Sequence, residues 1–225
     1  MIFKSINKNV VLIFTMLILS TVIVSCGDRV VENIPVTDYY PLSIDQEMIY
    51  QIDSVHYSDF GLPTDSFRYY RKEHVSSIAD LPSSSDRFSV DVFYKTDTTD
   101  WYYHSSFITY KDAFRAVRKT DNMEVMNLLF PYKNRVYWDG NQLNNSQEDR
   151  FRYNESILYL AELRDSFPNT IIVEQQLDTN IIEKKIRWEV YAADIGLIEK
   201  KTVLIDIQQD KRKGFYYHWK LIAHK

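Results

Sequence analysis

The chain has 225 residues, a formal net charge of −4 and one cysteine. Nucleic-acid binding needs a basic face, so the acidic balance argues against a nucleic-acid partner, and a single cysteine excludes an internal disulfide framework. The 17 tyrosines, 12 phenylalanines and 4 tryptophans are the unusual feature of the composition. Aromatic residues favour β-sheet cores and cross-strand pairs. They also suit an exposed platform for a sugar or lipid, and composition does not separate the two.

The N-terminus predicts a signal peptide over residues 1–25. Residues 1–9 carry Lys4 and Lys8 and no acidic side chain, and residues 10–24 are uncharged and mostly apolar. The apolar run is shorter than the about 20 residues that span a bilayer. A basic start followed by a short apolar core is typical of secretion signals.

The end of this signal contains a candidate lipid-attachment site. The sequence Ile23-Val24-Ser25-Cys26-Gly27 resembles the lipobox of bacterial lipoproteins. The resemblance implies that the sulfur of Cys26 takes up a diacylglycerol and that the mature chain begins at Cys26. It also implies that the protein is bound to a membrane, its one expected partner of known kind, through this N-terminal lipid. The alternatives are an uncleaved signal anchor with an incidental thiol, and ordinary cleavage that leaves Cys26 as a free thiol.

Residues 26–41 are predicted to be a tether, because they show neither a helical nor a strand period and end in Pro41. Surface-exported lipoproteins of the Bacteroidota carry an acidic run just after the lipidated cysteine. Gly27, Asp28 and Arg29 do not resemble that run. We therefore expect a lipid-anchored position in the cell envelope, at the outer membrane and facing the periplasm, in preference to the cell surface.

Residues 42–225 are predicted to form a single all-β domain, because apolar and polar residues alternate with period 2 between polar turns. Three short turns separate the runs 170–177, 181–191, 197–207 and 215–224, which favours antiparallel hairpins. We expect roughly nine or ten strands in an antiparallel meander. The meander forms a curved half-barrel or barrel, with a β-sandwich as the alternative.

Several segments carry more specific expectations. The run from Phe67 to Val75 is unusually charged, which indicates an edge strand or a solvent-facing ladder. Residues 122–129 fit a helical turn or an irregular strand, and residues 156–164 fit a two-turn helix or a strand. Residues 208–214 are expected to be a turn.

The strand at residues 101–110 is aromatic on both faces. Strict alternation places Trp101, Tyr103 and Phe107 on one face, opposite Tyr102. In the last third of the chain, Gly196 is expected to adopt a positive φ, which lets one strand of a hairpin reverse into the next.

Short phrases along the chain resemble those of uncharacterised Bacteroidota lipoproteins. They are Tyr40-Pro41-Leu42, Met48-Ile49-Tyr50 with Asp53-Ser54-Val55, Phe130-Pro131, Trp138-Asp139-Gly140-Asn141, and Val190-Tyr191-Ala192 with Ile195-Gly196-Leu197-Ile198. The resemblance covers most of residues 26–225 and implies no particular activity. Met48 stands where tryptophan is usual in that group, and Asp45 stands where a turn glycine is common. The last phrase also resembles a hairpin of exported proteins with strongly curved sheets, which favours the half-barrel.

The sequence contains no pattern that predicts catalytic, cofactor-binding or metal-binding residues. The five glycines are too far apart for a nucleophile elbow or a phosphate loop, and the five histidines lack zinc-ligand spacing. The oxygen-rich stretch from Asp139 to Asp149 offers calcium ligands without the regular spacing of a calcium loop. Ordinary turn chemistry is therefore the favoured interpretation of this stretch.

These patterns favour a non-enzymatic, lipid-anchored cell-envelope protein whose β domain binds a ligand or partner or serves a structural role. One alternative is a lipid or lipoprotein carrier with an apolar cavity inside a curved sheet. The other is an envelope glycoside hydrolase, because its two catalytic acids need not be close in sequence.

Overall fold

The computed structural model describes residues 38–58, 64–78, 86–154, 167, 169–209 and 211–225. The predicted signal peptide, the lipid-attachment site Cys26, most of the predicted tether and residues 156–164 lie outside the described residues. The described residues belong to one compact unit, Thr37–Lys225. All of their regular structure is β-strand. Within these ranges, no helix is long and apolar enough to cross a membrane.

Twelve strands form one antiparallel sheet. Their bounds are β1 Glu47–Tyr57, β2 Thr64–Ile78, β3 Arg87–Lys95, β4 Tyr102–Lys111, β5 Arg115–Thr120, β6 Met123–Leu129, β7 Tyr137–Asp139, β8 Arg150–Tyr153, β9 Thr170–Thr179, β10 Glu183–Ala192, β11 Gly196–Gln208 and β12 Lys211–His224. The order across the sheet is β6-β5-β4-β3-β2-β1-β12-β11-β10-β9-β8-β7. Every strand therefore pairs with its neighbour in the chain except at β6 and β7, and β1 pairs with β12. The predicted antiparallel meander is confirmed.

The sheet curls into a nearly closed barrel whose two edges are β6 and β7. Met126 N donates to the carbonyl oxygen of Gly140 at 2.8 Å, and the indole Nε1 of Trp138 donates to Met126 O at 2.9 Å. The amide of Asn144 donates to Glu124 O at 2.7 Å. A core cluster that includes Met126, Trp138 and Phe151 packs behind this seam. The half-barrel or barrel expectation is confirmed.

The number of strands exceeds the expected nine or ten for two local reasons. Residues 122–129, which fitted either a helical turn or a strand, contain β6, where Met126 and Leu128 are buried and alternate with more exposed neighbours. Strand β8 has only four residues. A strand that short places two residues on each face, so its alternation is too brief to be recognised in the sequence.

The charged run from Phe67 to Val75 does not form an edge strand. It lies within β2, which pairs with β1 on one side and β3 on the other. Arg71 is only 6% exposed and projects toward the inside of the barrel. The edge expectation is wrong because β2 is paired on both sides. The solvent-facing expectation is wrong for Arg71 and Glu73, which pair with each other in the interior, but Arg68 does face solvent and is 57% exposed.

Two turn predictions have different outcomes. Gly196 has a φ of +100° at the reversal between β10 and β11, as expected. By contrast, residues 208–214 are not one turn, because β11 continues to Gln208 and β12 begins at Lys211. Gly214 lies inside β12 with a φ of +129°, opposite Ile205. Asp45, where the resembling lipoproteins have a turn glycine, has a φ of 65°.

Candidate functional site

Five charged side chains from four strands meet inside the barrel and form what we call the interior charge cluster: Arg71 and Glu73 of β2, Arg118 of β5, Glu189 of β10 and Lys200 of β11. Arg71 donates from Nε and Nη2 to Glu73 Oε1 at 2.9 and 2.7 Å. Arg118 Nη1 lies 3.6 Å from the same oxygen. Lys200 Nζ donates to Glu189 Oε1 at 2.7 Å. Each carboxylate of the cluster therefore has a cationic partner.

Aromatic rings surround the cations of the interior charge cluster. The guanidinium of Arg71 lies 5.4 Å from the ring centroid of Tyr94 and 4.9 Å from that of Trp219, and it also donates to Tyr94 OH at 2.6 Å. The guanidinium of Arg118 lies 3.7 Å from the ring of Phe107. Ring faces attract cations, most strongly where water is excluded. The tyrosine and tryptophan content of this region thus stabilises buried charge.

The interior charge cluster holds its two carboxylates in the ionised form. Burial by itself raises the pKa of Glu73, but Arg71 and Arg118 oppose burial and leave that pKa below its ordinary value. Burial likewise raises the pKa of Glu189, and Lys200 and the hydroxyl of Tyr191 more than reverse this effect. The general acid of a glycoside hydrolase needs the opposite shift, a pKa raised toward neutrality. The cluster geometry therefore favours a structural role for Glu73 and Glu189.

A small cavity of about 80 Å³ adjoins the interior charge cluster. Tyr40, Tyr50, Asn127 and Tyr191 line it together with Glu73, Arg118, Glu189 and Lys200. Tyr40 OH lies 2.7 Å from Thr109 Oγ1, and Tyr50 OH donates to Leu197 O at 3.0 Å. Burial raises the pKa of Tyr40 to about 12. One water molecule occupies about 30 Å³ in the liquid, so this cavity, whose lining is both polar and apolar, has room for a few waters and not for an acyl chain.

An open groove lies on the surface near β7, β8 and β9, and its lining includes Arg150, Arg152 and Arg187. Each guanidinium already has a carboxylate partner. Arg152 pairs with Glu174 at 2.6 Å, Arg150 pairs with Glu148 at 2.9 Å, and Arg187 makes two bonds to Asp149 at 3.0 and 2.6 Å. Because these cations are paired, the groove offers a ligand little free positive charge.

A second aromatic assembly lies on the outside of the barrel and forms what we call the outer platform: Tyr70, Lys72, Phe93, Lys95, Trp101 and Tyr103. The register places these side chains on one face, since Tyr70 is opposite Lys95, Lys72 is opposite Phe93, and Phe93 is opposite Tyr103. Tyr103 is 58% exposed. Trp101 directly precedes β4 and contacts both lysines of the platform.

A β-bulge creates this arrangement. Val92 is opposite Ser105 but Phe93 is opposite Tyr103, so His104 is the extra residue of β4. One extra residue reverses the face on which all preceding side chains lie. Phe107 therefore points inward and is buried, whereas Tyr103 points outward. The expectation that Tyr103 and Phe107 share a face is wrong for this reason.

The two lysines of the outer platform lie close to the same indole ring. Lys72 Nζ is 5.3 Å from the ring centroid of Trp101 and 4.8 Å from that of Phe93. Lys95 Nζ is 5.0 Å from Trp101 and 5.2 Å from Tyr70. Such cation–π contacts hold both ammonium groups on the aromatic surface. The platform can therefore present apolar ring faces and two positive charges to one ligand.

Few carboxylates compete for these lysines. Glu47 Oε1 lies 3.9 Å from Lys72 Nζ, and the other oxygen of Glu47 lies 3.1 Å from Lys225 Nζ. Asp97 accepts a hydrogen bond from the hydroxyl of Tyr70, which raises the pKa of Tyr70. Among the described residues, no carboxylate oxygen lies within 4 Å of Lys95 Nζ. Lys95 is thus the more available of the two cations.

The oxygen-rich stretch after β7 is used for turn structure. Asp139 Oδ1 accepts hydrogen bonds from the backbone N–H groups of Asn141 and Asp149, both at 2.9 Å, and the carboxylate of Asp149 binds Arg187. The described ranges contain no group of three or more His, Cys, Asp or Glu side chains arranged to hold a metal ion. The favoured interpretation as turn chemistry agrees with these contacts.

The sequence contained one signal for the outer platform, the Trp101-Tyr102-Tyr103 triplet after the polar turn 97–100. That signal did not reveal the face of each ring.

No protein-family model matches the chain, and no curated protein matches it. A solved structure from Bacteroides fragilis, described provisionally as an exported protein with a YmcC-like fold, is similar over 84% of this chain and 99% of its own length. It has 10% sequence identity and a TM-score of 0.37.

Proposed function

We propose that the protein is a lipid-anchored cell-envelope protein whose β domain binds a ligand or partner on the outer platform without catalysing a reaction. The observation that supports this function is the contrast between the two aromatic assemblies. The interior assembly consists of paired charges beside a cavity of only about 80 Å³. On the outer platform Tyr103 is exposed and the other rings and both lysines are partly exposed, and accessible aromatic residues of this kind are typical of binding surfaces.

The anchoring part of the proposal is supported by the lipobox-like residues that end at Cys26 and Gly27. Two or more acyl chains give stable membrane attachment, whereas a single chain gives marginal attachment. The residues after Cys26 support a position at the outer membrane that faces the periplasm. The ligand is then a molecule of the cell envelope or of the periplasm.

We expect Cys26→Ala to abolish lipid attachment, because the substitution removes the sulfur that would form the thioether. Cells grown with radiolabelled palmitate should label the wild-type protein and not the variant, and the variant should leave the outer-membrane fraction. Tyr102→Ala, far from the signal, serves as a control for expression and should label normally. Palmitate labelling of Cys26→Ala at the wild-type level would contradict the anchoring proposal.

The binding part is tested with two adjacent tyrosines of similar exposure on opposite faces of β4. Tyr103 is 58% exposed on the outer platform, and Tyr102 is 53% exposed and lies opposite Tyr94. Detergent-extracted protein is analysed by mass spectrometry for co-purifying glycans, lipids and proteins. We expect Tyr103→Ala to lose a component that both wild type and Tyr102→Ala retain. Binding at the platform would be contradicted if every component that co-purifies with wild type also co-purifies with Tyr103→Ala. A lipid bound one to one in wild type, Tyr102→Ala and Tyr103→Ala would contradict it as well.

A further inference from the structure

We infer that the ligand of the outer platform is an acidic polysaccharide, an inference that rests on the proposed function and names the ligand class of the same surface. The surface presents two features together on one stretch of the sheet. The exposed ring of Tyr103 and the partly exposed rings of Phe93 and Trp101 offer stacking faces, and two ammonium groups lie beside the same indole. Each feature restricts the chemistry of the ligand, and few ligand classes satisfy both.

The rings select for a ligand with flat, weakly polar faces. The C–H groups on one side of a pyranose ring form such a face, and they carry partial positive charge that matches the negative face of an aromatic ring. Tyr103 and Phe93 lie 5.8 Å apart at an interplanar angle of 75°, so their rings present an edge and a face side by side. The neighbouring strands β2, β3 and β4 lie about 4.8 Å apart, so the surface extends about 10 Å across the three strands.

The lysines select for negative charge on that ligand. Both ammonium groups lie within 5.3 Å of the Trp101 centroid, so an acidic ligand bound at this indole can contact both. Lys95 has no carboxylate within 4 Å among the described residues, and Lys72 has only the distant oxygen of Glu47 at 3.9 Å. A carboxylated sugar that stacks on the rings would supply the missing counter-charges. Charge complementarity at an exposed site chiefly increases association rate and selectivity.

The paired arginines near β7 and β8 make a useful comparison. Arg152 and Arg187 each hold a carboxylate within 2.6 Å, and an anion would have to displace that partner. Lys95 requires no such exchange, and Lys72 would give up only the 3.9 Å contact with Glu47. The platform is therefore the stronger anion site of the two, although both surfaces are basic.

The inference is tested by titrating the detergent-extracted full chain with polygalacturonate, with neutral dextran and with phosphatidylglycerol vesicles. We expect saturable binding of polygalacturonate that weakens as salt is raised, and no saturable binding of dextran. Lys72→Gln together with Lys95→Gln should weaken polygalacturonate binding by about tenfold, since exposed charge contacts contribute modestly. The control Lys201→Gln removes a lysine that lies 5.5 Å from the ring of Tyr216 outside the platform, and its affinity should stay within about twofold of wild type.

Three results would overturn the inference. They are no binding of polygalacturonate, equal binding of dextran, or vesicle binding that depends on Lys72 and Lys95 while polygalacturonate binding does not. Equal thermal unfolding of wild type and the variants excludes misfolding as the cause of lost affinity. The proposed function is judged separately by Tyr103→Ala, since loss of a co-purified neutral component in that variant would retain binding at the platform while rejecting an acidic ligand.

Discussion

Gly214→Ala should destabilise the protein by about 3–5 kcal/mol, because backbone strain and a steric clash add at this position. Gly214 lies within β12 at a φ of +129°, a conformation that L side chains rarely adopt. A Cβ built there would lie 2.0 Å from the carbonyl oxygen of Leu204 and 3.0 Å from its carbon. Backbone atoms of a paired strand cannot move aside as a flexible side chain can. Urea unfolding of wild type and variant measures the difference.

The matched control is Gly196→Ala, at the reversal between β10 and β11. Gly196 also has a positive φ, but the nearest atom to its Cβ position would be Pro41 Cδ at an ordinary 3.6 Å. Only backbone strain acts at Gly196, so we expect a smaller loss of about 1–2 kcal/mol. Two results would contradict the close approach of β11 and β12 at Leu204. They are an equal decrease in unfolding free energy for the two glycine variants, or a decrease below about 1 kcal/mol for Gly214→Ala.

Arg71→Met should cost about 3–5 kcal/mol, because the substitution leaves buried Glu73 without its nearest partner. Methionine keeps an unbranched side chain between the rings of Tyr94 and Trp219, so the change chiefly removes the charge and its hydrogen bonds. Arg118, 3.6 Å from Glu73, is too distant to replace both bonds that Arg71 makes. The free energy of unfolding in urea at neutral pH gives the measurement.

A second substitution and the pH distinguish loss of charge pairing from loss of packing. Glu73→Gln added to Arg71→Met removes the unpaired carboxylate, so we expect the double variant to be more stable than Arg71→Met. The folded-state pKa of Glu73 is below its ordinary value of 4.5. In the wild type, ionised Glu73 therefore stabilises the folded state above pH 4.5, and this stabilisation is lost as the pH falls through the folded-state pKa. The difference in unfolding free energy between wild type and Arg71→Met should therefore become smaller in acid. If that difference stays constant with pH and the double variant is no more stable than Arg71→Met, the lost stability comes from packing and not from charge pairing.

Local sequence patterns predicted the antiparallel meander, and the resemblance of residues 190–198 to a hairpin of exported proteins favoured its curvature. In β1, Met48, Tyr50 and Ile52 share one face, with Gln51 and Asp53 on the other, and the structure buries those three side chains. Alternation of apolar and polar residues indicates which side chains face a core, and short turns indicate which strands are neighbours. The positive φ at Gly196 was predictable for a similar reason, since a tight reversal demands a conformation that glycine adopts readily.

Features that depend on distant partners were not predictable from the same patterns. The charges of Arg71 and Glu73 are typical of a solvent-facing strand when β2 is considered alone. They become interior residues because Arg118, Glu189 and Lys200 come from strands far along the chain. The bulge at His104 is a second example, because one unpaired residue in β4 reversed the faces of Tyr103 and Trp101. The candidate platform therefore required the register between β3 and β4, which no pattern within β4 contains.

The pairing of β6 with the region after β7 also has no local signal. Trp138 was recognised in a short strand that ends in a turn, but its indole donates to Met126, a residue in a segment whose structure the sequence left open. Gly140 contributes through its small size, since a Cβ there would lie 2.6 Å from the ring of Phe151. Closure of the barrel thus depends on contacts whose partners no local sequence pattern identifies.

We propose that recognition takes place on the outer platform and that the interior charge cluster takes no part in it. Amide chemical-shift mapping of the full chain during titration with polygalacturonate tests this claim most directly. We predict that the shifts concentrate on residues 70–72, 93–95 and 101–103, and that Tyr40, Glu189 and Lys200 do not respond. Shifts centred on those three cavity-lining residues, with the outer platform unchanged, would contradict the account.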